Sequence, residues 1–157
     1  IYLTRKYQEQ LLGEFKTREV EKIMVADRIE GSNTFSAAVN LEHPFNQGEG
    51  NYGGLSISLT GKEIFLTICI RDASGYANCD IYRALKKVSA IEDGKVYYYW
   101  EDLEKLPETI NGKDSWESQP SLSGDGHTML FAKYGDNTRG IDIYQRRYRS
   151  SQILRKI

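Results

Sequence analysis

The sequence predicts an all-β protein built from repeated antiparallel sheets, on three observations. Strand-forming runs bounded by turn residues recur along the 157 residues, and eleven Tyr, fourteen Gly and only three Pro favour strands and turns. The dipeptide Asp93-Gly94 lies between two such runs, a strong short-range hairpin signal. The stretch Phe35–Leu66 also recurs, without a gap, as Trp100–Phe131.

The elements follow in order. Ile1-Tyr2-Leu3-Thr4 is strand-like, and a start inside an apolar run suggests a piece of a longer polypeptide. Tyr7–Ile23 is rich in helix formers. Its apolar Leu11, Leu12, Phe15 and Val20 fit a helical face loosely and Gly13 interrupts them, so it reads as a charged inter-strand loop with at most a helical turn. Glu30-Gly31-Ser32-Asn33 is a turn between KIMVADRI and TFSAAVNL. Gly48–Gly54 (GEGNYGG) reads as loop, lacking the strand–turn–helix context of a phosphate cradle. Glu63–Ile70 (EIFLTICI) is a nearly continuous apolar run of strand length. LKKVSAI and KVYYYW flank Asp93-Gly94 as a hairpin, and SLSGDGHTMLF (Ser121–Phe131) reads as strand, tight turn, strand.

The repeat has an offset of 65 residues. Phe35 falls on Trp100, Leu41 on Leu106, Asn46 on Asn111, Ser56 and Ser58 on Ser121 and Ser123, and Gly61 on Gly126. Apolar columns stay apolar, with Ile64 on Met129, Phe65 on Leu130 and Leu66 on Phe131. Asp80 and Tyr82 then match Asp142 and Tyr144 across a loop three residues shorter in the second copy. Gly is expected where the turn needs φ > 0. The two aspartates are expected to cap the adjacent turn, with the tyrosines packing between sheets. Ile1-Tyr2-Leu3 and Lys22-Ile23-Met24 look like the end of an earlier copy. The chain divides into residues 1–34 (end of a preceding unit and connector), 35–99 and 100–148 (one unit each) and 149–157 (tail or start of the next).

This pattern resembles the blade of TolB-type, WD-repeat-like β-propellers of bacterial cell-envelope proteins. It is aromatic–x5–Leu–x4–Asn, then Ser-x-Ser-x-x-Gly before three apolar residues, then Asp-Ile-Tyr. Pro120 and Asp125-Gly126 fit the family. Leu55 and Thr60-Gly61 depart from it, as does Glu21-Lys22 where an Asp is expected. The resemblance implies four-stranded antiparallel blades set radially, about two and a half of them here, in rings of typically 4–8. The remainder of the propeller would lie outside these residues.

The resemblance also implies a non-enzymatic interaction scaffold, periplasmic or outer-membrane-associated, binding other envelope proteins or peptides. Such propellers occur beside OmpA-like domains or in type IX secretion and gliding machinery. The alternative is the substrate-gating propeller of a prolyl-oligopeptidase-like serine peptidase, with its catalytic residues in another domain. A weaker option is glycan binding through the Tyr97–Trp100 cluster, half of which alternation would bury.

The remaining features bound the chemistry. A net charge of −1 argues against nucleic acid as the main partner. No apolar run approaches the roughly 20 residues of a membrane-spanning helix. Cys69 and Cys79 flank a polar loop. If their strands pair antiparallel they are close enough for a disulfide, which implies an oxidising compartment; two buried thiols are the alternative. Cysteines in this arrangement are common in the blades the chain resembles. His43 and His127 lack a nucleophile nearby in sequence and read as exposed loop residues. Asp72 and Asp136 match no calcium-loop spacing. The basic stretch Gln145–Ile157 reads as an outer strand and linker. No catalytic, cofactor or metal-binding residue is assigned.

Overall fold

The computed structural model describes residues 1–10, 17–113, 115–134 and 139–148, and every regular element among them is a strand. A hairpin opens the chain: β1 (Tyr2–Gln10) pairs antiparallel with β2 (Thr17–Val25), and the short β3 (Val39–Asn40) adds to the far side of β2. This corrects the expectation of a charged loop over Tyr7–Ile23. Val20, Ile23 and Met24 are buried. The helix-forming charges instead pair across the hairpin, Lys6 with Glu19 at 2.6 Å, and Arg18 and Lys22 with Glu9 at 3.1 and 3.0 Å. Tertiary burial outweighs helix propensity, which is worth only about 0.7 kcal/mol per residue. Leu11, Leu12, Gly13 and Phe15 lie outside the described residues.

The second sheet contains β4 (Asn51–Ile57), β5 (Glu63–Arg71) and β6 (Ala77–Glu92) in that order. The C-terminal half of β6 turns back at Asp93-Gly94 into β7 (Lys95–Trp100), and β8 (Glu104–Lys105) pairs with Tyr82 and Arg83 of β6. Asp93 and Gly94 have φ of 49° and 74°, the left-handed pair that matches strand twist in a two-residue hairpin. Part of GEGNYGG is strand and not loop, since Asn51, Tyr52 and Gly53 pair with Cys69, Ile68 and Thr67. The third sheet is β9 (Trp116–Leu122), β10 (Thr128–Tyr134) and β11 (Ile141–Arg147), all antiparallel.

The sequence repeat is also a repeat in register. Ser56 lies opposite Phe65 as Ser121 lies opposite Leu130, and Leu66 faces Tyr82 as Phe131 faces Tyr144. Met24 pairs with Asn40 as Tyr82 pairs with Lys105. The sheets do not share borders with the repeat, because β3 and β8 each complete the sheet before them.

The sheets stack face to face in chain order: β4 packs on β1 and β2, and β9 on β4, β5 and β6. Ile23, Phe45, Ile64, Leu66 and Ala84 form the core between the first and second. Phe65, Ile81, Leu106, Met129 and Phe131 form the core between the second and third. β5 therefore sends alternate side chains into two cores, which is why EIFLTICI reads as a continuous apolar run. Full burial of each such side chain contributes about 1.5–3 kcal/mol. The described residues form three open sheets and no closed ring.

Candidate functional site

The repeated polar residues act at equivalent places. The Asn46 side chain accepts from Ile23 N at 2.8 Å and donates to Ile23 O at 2.7 Å and Leu41 O at 2.9 Å. Asn111 does the same to Ile81 N (2.8 Å), Ile81 O (2.8 Å) and Leu106 O (2.9 Å). One amide thus satisfies three backbone groups, holding the loop after β3 or β8 against the preceding sheet.

The paired serines divide their work. Ser58 and Ser123 cap their turns, accepting from Glu63 N and Thr128 N, and Gly61 and Gly126 take φ of 67° and 72°. Ser123 also donates to Asp125, which accepts from His127 N; these bonds, the hydroxyl's first, hold the Asp125 carboxyl below its usual range. Ser56 instead joins sheets, accepting from Leu122 N at 3.0 Å, while Thr67 Oγ1 accepts from Gln119 N at 3.0 Å. Equivalent irregularities in β4 and β9 put Gly54 and Gln119 at φ of 51° and 53°, and a Cβ on Gly54 would lie 3.1 Å from Gln119 Cα.

Other positions differ from expectation. Asp80 is buried and pairs with Lys105 Nζ at 2.8 Å instead of capping a turn. Asp142 is exposed inside β11, opposite Lys133. Both lie within strands, away from the turn amides they were expected to accept from. Tyr82 and Tyr144 do pack against the first and second cores. Phe35 bridges Arg28 as Trp100 pairs Lys86, and Trp100 meets Phe45 edge-on at 5.9 Å.

Cys69 and Cys79 lie opposite each other on β5 and β6 and form a disulfide. In the loop between them Asp72 accepts from Ser74 N, Ser74 Oγ and Tyr76 N, so its carboxylate organises the turn. Asp136 and the tail from residue 149 lie outside the described residues. His43 and His127 are exposed, His43 lying 3.4 Å from Asp102. Among the described residues no helix is long and apolar enough to cross a membrane.

Sequence reasoning missed two buried charge clusters. Glu63, Arg83 and Tyr148 meet under the third sheet: Arg83 donates to Tyr148 Oη at 2.8 Å and to Glu104 at 2.5 Å, and Tyr148 Oη reaches Glu63 at 3.3 Å. Glu117, fully buried, pairs with Lys133 at 2.7 Å and accepts from Gly112 N and Ser115 Oγ. Neither cluster carries a motif, and Tyr148 comes from far along the chain to its partners.

Two surfaces could take a ligand. A cleft of about 310 Å³ opens where the sheets meet, lined by Thr4, Glu21, Gly53, Thr67, Trp116 and Gln119 among others. The second is the ribbon of β6 and β7. Tyr97, Tyr98 and Tyr99 are all exposed, so the expectation that alternation buries half of this cluster fails. The ribbon projects beyond the stacked sheets, leaving both faces in solvent.

The fold defines an all-β protein of stacked antiparallel sheets related by an internal repeat. Comparison with protein-family models, with curated proteins and with solved structures finds no match for this chain.

Proposed function

We propose that this chain is part of a β-propeller serving as a non-enzymatic protein-interaction scaffold in the bacterial cell envelope. One contrast carries the reading. Phe65 and Ile81 are fully buried beneath the third sheet, whereas their counterparts on that sheet, Leu130 and Ile143, are 43% and 80% exposed. Ser56 receives a backbone N–H from the third sheet, and its counterpart Ser121 lies exposed. The outer face of the third sheet is therefore patterned to receive a further sheet, which a next blade of the same ring would supply. The Cys69–Cys79 disulfide favours an oxidising compartment such as the periplasm or outer-membrane surface. Envelope proteins or peptides would dock on the cleft and the projecting loops.

The test combines three measurements on the full-length polypeptide. Its structure should seat another blade on Leu130 and Ile143. Cell fractionation should recover it from the envelope with both cysteines oxidised. A photo-crosslinker in place of Trp116, at the cleft, should capture an envelope partner. An uncovered third sheet, cytosolic recovery with free thiols, or no capture would each count against the corresponding part. A peptidase activity residing in a linked hydrolase domain would move the reading to the substrate-gating alternative.

A further inference from the structure

We propose that the ribbon of β6 and β7 joins two copies of this chain through their β7 edges, antiparallel and centred on Tyr98. The inference does not depend on the propeller reading. Among the described residues β7 has one strand neighbour, β6, so its other edge is open. Backbone parity determines what that edge offers. Lys95 closes the two-residue turn opposite Glu92, and Glu101 N donates to Leu85 O at 2.8 Å. The backbone groups of Lys95, Tyr97, Tyr99 and Glu101 thus bond β6, and those of Val96, Tyr98 and Trp100 point outward.

A two-fold antiparallel pair through this edge centres on a single residue of β7, which then lies opposite its own copy. Centring on Tyr98 sets Lys95 opposite the partner's Glu101 and Glu101 opposite the partner's Lys95. It also sets Val96 against Trp100, Tyr97 against Tyr99 and Tyr98 against itself. Centring on Val96 sets Lys95 against Tyr97, and centring on Trp100 sets Tyr99 against Glu101. Because Lys95 and Glu101 each lie three residues from Tyr98, only the Tyr98 register complements charge at both ends, while matching aromatic and β-branched residues between them. Such cross-strand pairs contribute roughly 0.2–1 kcal/mol each.

Two further observations agree. Tyr98 is 54%, Val88 52% and Ile91 71% exposed, so one face of the ribbon is an apolar strip that a second copy would extend into four strands. The ribbon is also an addition to the repeat. Arg28 and Phe35 close over a short turn, whereas the equivalent Lys86 and Trp100 open into a hairpin seven residues longer. Additions to one copy of a repeat commonly map to a binding surface. The edge carries no proline or bulge of its own to block pairing.

Sedimentation equilibrium of the chain, in a concentration series reaching about 100 µM, should show a reversible dimer with a roughly micromolar dissociation constant. Tyr98→Pro removes an outward N–H while sparing the bonds to β6, and should weaken the dimer at least about tenfold. Lys95→Glu and Glu101→Lys should each weaken it, and an equimolar mixture of the two variants should restore it as a heterodimer. Glu101 pairs with the half-buried Lys87 at 3.6 Å, a surface contact worth little, so the reversal should leave the fold intact, checked by circular dichroism. A monomer at the highest concentration overturns the proposal. So does a dimer that ignores both charge reversals and shows no preference in the mixture.

Discussion

Asn111 shows how a single residue can hold the repeat together. Its amide is 2% exposed and answers three backbone groups of Ile81 and Leu106. Asn111→Ala would leave those groups buried without partners, at about 1–3 kcal/mol apiece before relaxation. Urea unfolding should show a loss of about 2–4 kcal/mol, and a smaller one for Asn46→Ala, whose site is wetter. Tyr148 makes a second test. Burial, opposed by Arg83 and reinforced by Glu63, pushes its phenol up to about 12. The unfolded chain ionises near about 10, so the stability held by the neutral phenol is intact below that pH and is lost as pH rises through about 12. Denaturant midpoints measured across this range should fall less steeply in Tyr148→Phe. Some slope should persist, because burial raises Tyr2, Tyr52 and Tyr82 as well.

At the scale of elements, the disulfide closes a ten-residue separation across the β5–β6 hairpin. Loop-closure entropy puts its contribution at about 2–3 kcal/mol, less to the extent that the hairpin already restrains the unfolded chain. Melting with and without reductant should show that loss, and the double variant Cys69→Ser with Cys79→Ser should melt where the reduced protein does. The strands were legible wherever local chemistry was unambiguous. Asp93-Gly94 dictates its turn, and EIFLTICI, a nearly continuous apolar run of strand length, is the strand it reads as. Of β1 and β2 only the outer ends, Ile1–Thr4 and Lys22–Met24, were legible; the charged stretch between them was not, because Glu, Lys and Arg favour helices in isolation and their cross-strand pairing is invisible in a linear reading. The ribbon's exposure was equally hidden. Alternation tells which residues share a face, but not whether anything covers that face. Glu117 and Lys133 lie directly across the β9–β10 hairpin, but a linear reading does not show that the third sheet buries them, and the Glu63–Arg83 cluster draws in Tyr148 from far along the chain.

At the scale of the whole molecule, the internal repeat was the most informative feature of the sequence. The offset of 65 correctly matched Asn46 with Asn111 and Ser58 with Ser123, each pair now seen in the same bonds. It did not reveal that the boundaries of the sheets run out of step with those of the copies. β3 and β8 belong by sequence to the following unit and by hydrogen bonding to the preceding one. Adjacent units are overlapped like roof tiles, and no cut between them leaves both neighbours whole. Melting should therefore proceed as one cooperative event, with a single calorimetric endotherm whose van't Hoff and measured enthalpies agree. Severing the backbone between Trp100 and Glu104 should destabilise the second sheet as much as the third.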